Sequence, residues 1–287
     1  RTFQATATPP ALRPTVAGLS GLIRAAGLAR LDLAALAASR RAPGPIPEGW
    51  KPLSPTFLKT SDDQTVSAVS AVLDAIATQG DVAPDAFAEW GVVVASRYLG
   101  RAQLAVALRR FASEGVWGVS PHLIPHFALH SPAGTLSLAL GSHGPNLGVG
   151  GGPGSAMDGA LTALTWLSEG RLPGVWLVLT GHEPDLIPDA KGAPVTPTEC
   201  RALALALEPD SSAAPGPRLR LASGLHDERA ASDLVAIHAR LTAAVDEAST
   251  IYHPHVDLDP GPIGPSHTIA AASGLRLEWA TEIRGTR

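Results

Sequence analysis

Cysteine, methionine, tyrosine and lysine are nearly absent: one Cys, one Met, two Tyr and three Lys in 287 residues. Each scarcity removes a class of explanation. A single cysteine, Cys200, allows no internal disulfide, so the fold must rest on its apolar core, and a reducing, cytoplasmic setting is the simple expectation. Its segment, TPTECRALALALE, carries no neighbouring histidine, and Cys200 reads as a structural residue rather than a reactive thiol. Runs of like charge are also missing. The net charge is −4, and the nineteen arginines are dispersed, so no basic surface for nucleic acid is expected. No apolar run approaches the roughly 20 residues that a membrane-spanning helix requires. A secretory leader pattern is likewise absent.

Alanine, glycine and proline fill the space that these absences leave, with 29 Gly and 26 Pro. A compact chain of this length buries roughly 75% of its unfolded surface and needs no staple. The first 41 residues are Arg- and Ala-rich with Asp32 as their one acid, and ALRPTVAGLSGLIRAAGLARLDLAALAASRR has helical spacing of Leu and Ile. The four prolines of APGPIPEGWKP break that pattern. Residues 1–55 are therefore read as an N-terminal helical and linker extension, and residues 56–287 as a single domain.

Within that domain, SDDQTVSAVSAVLDAIATQG opens on a capping Ser61 or Asp62 and places Val66, Val69, Val72, Leu73 and Ile76 on one helical face. EWGVVVASR is a short, continuously apolar strand, GRAQLAVALRRFASEG a helix, and GTLSLALG and NLGVGGG are strand-like. PGSAMDGALTALTWLSEG reads as a helix with Ala160, Leu161, Leu164 and Leu167 inward, and GVWLVLTGHE as another buried strand. ECRALALALEP and PRLRLAS alternate with period 2, as half-buried antiparallel strands do. DERAASDLVAIHARLTAAVDEAS returns to a helix, and LRLEWATEI closes as a strand. The sum is an α/β chain with a mixed sheet. Trp166, Trp176 and Trp279 lie on apolar faces and read as core or interface anchors.

The most informative stretch is GPNLGVGGGPGSAMDGA, residues 144–160. Proline is tolerated in the first helical turn, so Pro153 marks the first turn of the helix that follows. Gly150, Gly151 and Gly152 let the preceding strand turn sharply and let other backbone come close. The free N–H groups and positive dipole end of such a helix suit a phosphate, but the Lys-Ser/Thr of a P-loop is missing and the glycines miss the dinucleotide spacing. Ser155 is a candidate nucleophile, although GPGSA is not a Gly-x-Ser-x-Gly elbow. The plainer alternative is a close-packed turn at a subunit contact. Elsewhere, His122, His126 and His130 are four apart, but Pro121 and Pro125 interrupt any helix that would align them on a metal. His253, His255, Asp257 and Asp259 form a better ligand set by type, on a Pro/Gly loop that reads as a polar surface turn. Neither a metal nor a cofactor is expected.

The order of these motifs resembles a β-ketoacyl synthase of the thiolase-like fold. SDDQTVSAVSAVLDAI precedes WGVVVAS; Gly144-Pro145-Asn146 follows; then come the glycine turn, GVWLVLTGHEPD and CRALALALEP, across roughly residues 58–209. Counting on from Gly144, the position of the family's acyl-carrying cysteine falls on Pro153. PSHTIAAASGL is similar to the start of the family's helix bearing a catalytic histidine, which would place it at His267. The second catalytic histidine, in an HGTGT motif, has no counterpart, and the second half-repeat is shortened. The resemblance implies a degenerate subunit like the chain-length factors of type II polyketide and aryl-polyene systems, within fatty-acid-like chain elongation. Such a subunit pairs as a heterodimer with an active ketosynthase, meets acyl carrier protein and shapes the acyl tunnel, here with Met157 and Leu161. Asn146, Gly148, Gly150, Gly151 and Gly152 would form the interface and turn. Decarboxylative condensation needs a thiolate and two enolate-stabilising donors, so catalysis by this chain alone is not expected. The alternatives are an independent acyltransferase or hydrolase using Ser155, and a scaffold that binds acyl carrier protein.

Overall fold

The computed structural model describes residues 19–51, 53–189, 191–210, 216–223, 267–270 and 275–282. The continuously apolar run reads out as strand β2 (Gly91–Ser96), buried at every position. It lies parallel to β3 (Asn146–Gly150) on one side and to β4 (Val175–Glu183) on the other. Next come β5 (Glu199–Pro209), antiparallel to β4, and β1 (Ser20–Leu31), antiparallel to β5. Beyond Pro209, β6 (Gly216–Ser223), β7 (His267–Ala270) and β8 (Leu275–Glu282) extend the same sheet. The full order is β3-β2-β4-β5-β1-β6-β8-β7. The mixed α/β sheet expected from the sequence is present.

Three readings need correction. Residues 20–31 are a strand and not a helix, and they sit near the middle of the sheet, so the chain from Ser20 onward belongs to the same unit as the rest. Helical structure is confined there to α1 (Leu33–Ser39), whose N-cap Asp32 accepts from Ala35 N at 2.8 Å. The helical spacing of Leu and Ile misled because small residues dominate: Ala25, Gly27 and Ala29 make a smooth strand face. A Cβ on Gly27 would stand 2.1 Å from the Ala71 carbonyl oxygen. Second, GTLSLALG lies in a helix, α6 (His130–Leu140). Ala133, Leu136 and Leu140 are buried there, while the Thr135 and Ser137 hydroxyls donate to the carbonyls of Ser131 and Ala133 one turn back. Third, β5 is antiparallel as expected, but it is buried on both faces. Its alternation separates bulky Leu203, Leu205 and Leu207 from small Ala202, Ala204 and Ala206, rather than buried from exposed.

Helix α3 (Asp63–Gln79) lies on the alanine face of the sheet together with α6. Its Val66, Val69, Val72, Leu73 and Ile76 are buried, as the spacing required. Beneath them, Phe87 packs edge-on against Trp90 and Trp176 with ring centroids 5.0 and 5.1 Å apart. The opposite, leucine face is covered by α7 (Ser155–Ser168), which buries Ala160, Leu164 and Leu167 and half-buries Leu161 and Trp166. A Cβ on Gly159 would meet Ala95 at 2.5 Å, so glycine sets the closeness of α7 to β2. Helices α2 (Pro55–Lys59), α4 (Arg101–Glu114) and α5 (Leu123–Phe127) complete the described helices. The helix expected over DERAASDLVAIHARLTAAVDEAS, the His253–Asp259 set and residues 1–18 lie outside the described residues.

Candidate functional site: the turn between β3 and α7

The turn grows out of the sheet edge. Strand β3 pairs with β2 and with no other strand among the described residues, so its outer backbone groups are unpaired there. At its end, Gly150 and Gly151 both adopt the left-handed region, with φ of +92° and +105°. This is a conformation in which an L side chain is strained. Gly151 N–H donates to Ser96 O at 3.0 Å, tying the turn back to β2. Ser155 N–H then donates to Gly152 O at 3.2 Å, closing a β-turn with Pro153 and Gly154 at its two central positions. Gly154, with φ −81° and ψ 1°, matches the third residue of a type I turn.

Pro153 therefore lies just outside the helix, two residues before its first residue, Ser155, and not within the first turn as the sequence suggested. Gly154 caps α7 without a side-chain bond, and Asp158 supplies negative charge to the first turn.

The glycines serve the chain's own packing. A Cβ on Gly150 would fall 2.4 Å from the Cβ of Ser155, and one on Gly148 would fall 1.7 Å from the Leu129 carbonyl oxygen. Their first duty is thus internal, and a bulky residue at Gly150 would break the turn before it met any partner. A Cβ on Gly152 or Gly154 would meet nothing within 4 Å. Asn146 opens β3, and its side-chain oxygen is buried without a hydrogen-bond partner. Along the same strand Leu147 is 39% exposed and Val149 half-buried. On α6, which packs on the other face of the sheet, Leu138 is 65% exposed.

None of the nucleophile candidates is both placed and free to react. Ser155 is only 2% exposed, walled in by the turn. Cys200 is fully buried among Leu36 and Val66 on the α3 side of the sheet, and burial pushes its thiol well above the ordinary range. His267 begins β7, a strand rather than the helix start that its sequence resembled. β7 and β3 are opposite edges of the eight-stranded sheet, which at about 4.8 Å per strand puts roughly 30 Å between them. His267 cannot serve the turn within this chain. Met157 is buried in the core under α7, so its side chain is committed to intrachain packing, whereas Leu161 keeps some exposure.

Sequence reasoning missed the polar seam behind the turn. Thr180 Oγ1 donates to Gln64 Oε1 at 2.9 Å and lies 2.9 Å from Ser96 Oγ, while Gln64 Nε2 donates to Arg97 O at 2.9 Å. These bonds lock the ends of β2 and β4 to the start of α3. Next to them Asp62, the α3 N-cap, accepts from Gln64 N at 2.8 Å. Burial lifts its carboxyl to about 6, against the backbone N–H groups of Gln64 and Gly100, which favour the charged form. His182 lies in the same region within 3.3 Å of Thr198 Oγ1, and burial lowers its pKa. Arg97 pairs with Asp185 at 2.7 Å. The available signal was the run of polar residues Gln64, Thr65, Ser67 and Ser70 among the valines and alanines in the first half of α3, all of which are buried. His122, His126 and His130 fall in and around α5 and α6, and no group of three or more potential metal ligands occurs among the described residues. No described helix is long and apolar enough to cross a membrane.

No family model matches the sequence, and no curated protein does. Among solved structures, a ketosynthase in complex with its chain length factor from Xenorhabdus doucetiae superposes with a TM-score of 0.53 at 16% identity. The match covers 91% of this chain and 99% of that one, so the matched subunit is comparable in length. The ishigamide ketosynthase/chain length factor gives 0.48 at 20% identity, over 80% and 74% of the two chains. A β-ketoacyl synthase from Burkholderia phymatum gives 0.45 at 15%, over 67% and 60%. The chain has the thiolase-like fold of the ketosynthases.

Proposed function

We propose that this chain is a non-catalytic ketosynthase-like subunit, a chain-length factor. It pairs with an active β-ketoacyl synthase and helps shape the cavity that holds the growing acyl chain in type II polyketide or related elongation. One observation carries this reading. The turn between β3 and α7 has a tight glycine geometry, carries Pro153 at the position that the sequence resemblance assigns to the family's cysteine, and opens directly onto a sheet edge unpaired among the described residues. Asn-Leu-Gly-Val-Gly has no charge and no proline, the usual devices that protect an edge from pairing. An edge so bare implies a partner strand. The complex structure matched at 99% of its chain's length concerns a ketosynthase and its chain length factor, which agrees with that role. Tunnel shaping falls to Leu161 and neighbours on the outer side of α7, since Met157 faces inward. The burial of Ser155 argues against an independent acyltransferase or hydrolase.

The test is assembly followed by chemistry. Co-expression with a genomically adjacent ketosynthase should yield a 1:1 complex burying more than about 2,000 Å², as permanent complexes do. Leu147→Lys places a charge on the exposed edge without touching the turn, and it should abolish co-purification and the partner's elongation activity. Incubated alone with acyl carrier protein loaded with an acyl or malonyl group, the chain should show neither an adduct by mass spectrometry nor decarboxylation. A stable adduct on Ser155, or a ketosynthase that elongates normally without this chain, would overturn the reading.

A further inference from the structure

On the α3 side of the sheet, away from the turn, the segment after α1 folds over α3 and the end of α6. It leaves an open cavity of about 310 Å³. This is at the small end of the range for small-molecule sites, roughly 300–1,000 Å³. The cavity has two chemistries. Its wall is apolar, formed by Trp50, Leu53, Val69 and Leu73, with Ile46 exposed beside them. Trp50 and Leu73 are each only 8% exposed, so they belong to the core as much as to the cavity. The polar lining consists of Arg41, Lys51 and Ser54, with no acidic residue. Neither cation takes part in an ion pair among the described residues, although Arg40 next door is paired with Asp63. Ser54, at the start of α2, makes no capping bond with its side chain.

Water gains little from such a wall, whereas an apolar ligand gains about 25 cal/mol for each Å² it removes from water. Two unpaired cations beside an apolar slot favour a ligand that is negative at one end and hydrocarbon at the other. We infer that this cavity binds a single-chain carboxylate amphiphile, a medium-chain fatty acid anion, with its tail along Trp50 and Leu73 and its head between Arg41 and Lys51. The site lies on the opposite face of the sheet from α7, so it does not depend on the proposed subunit role.

Isothermal titration calorimetry of the protein with decanoate, with decanol and with decyltrimethylammonium tests this. Decanoate should saturate at one per chain and bind at least tenfold tighter than decanol, with the cationic amphiphile weakest. Arg41→Gln with Lys51→Gln alters only exposed side chains and should bring decanoate down to the affinity of decanol. Ala139→Phe, at a half-buried position on α6 that lines the cavity, should weaken both at least tenfold. No saturable decanoate binding, equal affinity for decanoate and decanol, or decanoate binding unchanged in the double charge variant would each overturn the assignment.

Discussion

Strand β5 gives Leu203, Leu205 and Leu207 to one face of the sheet and Ala202, Ala204 and Ala206 to the other. Under α7 the leucines fill the space to a helix whose close approach, at Gly159, is to side chains of the sheet and not to its backbone. Under α3 the alanines and Gly27 let the helix backbone at Ala71 and Ala75 come down onto β1, while Phe87, Trp90 and Trp176 fill the rest of that face. The difference teaches where stability and variation can reside. The α3 face joins backbone to backbone at Gly27 and carries the buried polar seam, so at those positions it tolerates almost nothing. The α7 face is ordinary side-chain packing, and its outward end carries the turn.

The largest expected effect therefore comes from the smallest change. Gly27→Ala would drive a methyl against the Ala71 carbonyl and the Ala75 nitrogen, and neither backbone can yield without moving α3. A loss of more than about 4 kcal/mol is expected, at the exceptional end for single substitutions, read as absence of a cooperative urea transition. A folded Gly27→Ala protein with near-normal stability would show that α3 is not seated as tightly as its glycine contact implies. On the other face, Leu205→Ala removes a fully buried side chain but leaves both backbones in place. The expected cost is about 2–5 kcal/mol, measured from the urea midpoint, with a folded protein remaining. Reversal of that ranking would undo the contrast between the faces.

That contrast also explains what was legible beforehand. The order of β2, α7, β4 and β5 was readable because each is long enough and apolar enough to show its period. So was α3, whose valines repeat at helical spacing. β1 was not, since Leu22, Ile23 and Leu28 among alanines fit a helical spacing, and what makes the segment a strand is its long-range pairing with β5 and β6, which no local pattern shows. α6 hid behind Leu136, Leu138 and Leu140, whose strand-like alternation conceals that Leu138 points to solvent. At the site, the glycine turn was visible in the residues themselves, whereas Pro153 as the position of a lost nucleophile rests on the resemblance alone. The distance of His267 from the turn was not, because it depends on strand order, which no local pattern encodes.

The polar seam sharpens the comparison through pH. Asp62 is almost wholly buried, and its carboxyl is raised to about 6 in the folded chain. Between the ordinary carboxylate value and about 6, the unfolded chain has lost this proton and the folded chain still holds it. Stability from this group therefore falls as pH rises from about 4 to about 6 and is level above. A shift of this size corresponds to roughly 2–3 kcal/mol. His182 works in the opposite sense: burial lowers its pKa, so its contribution is lost as pH falls below the ordinary histidine value. The wild-type profile sums the two, and Asp62→Asn separates them. Urea midpoints at pH 4.5 and 7.5 should show the variant gaining relative to wild type at the higher pH. Its own remaining slope should have the sign set by His182. A wild-type-minus-variant difference that does not change with pH would mean that Asp62 is ionised throughout.

The smallest effect is expected where the sequence drew most attention. Pro153 sits at the second position of a type I turn, where its fixed φ suits the backbone and no N–H is called for, and Gly154 beside it has open space around its Cα. Replacing it by alanine removes no buried contact that holds the turn, because the bonds from Gly151 to Ser96 and from Ser155 to Gly152 use other residues. What is lost is mainly the restriction that proline places on the unfolded chain, about 0.4–1 kcal/mol. Pro153→Ala should therefore melt only slightly earlier and, in the proposed subunit role, still co-purify with a ketosynthase and leave its elongation rate unchanged. Pro153→Cys should behave the same way in assembly and should not enable the isolated chain to condense, because His267 stands on the far edge of the sheet. A loss of pairing in Pro153→Ala would mean that the proline itself touches the partner, and would move the proposed interface from the strand edge to the turn.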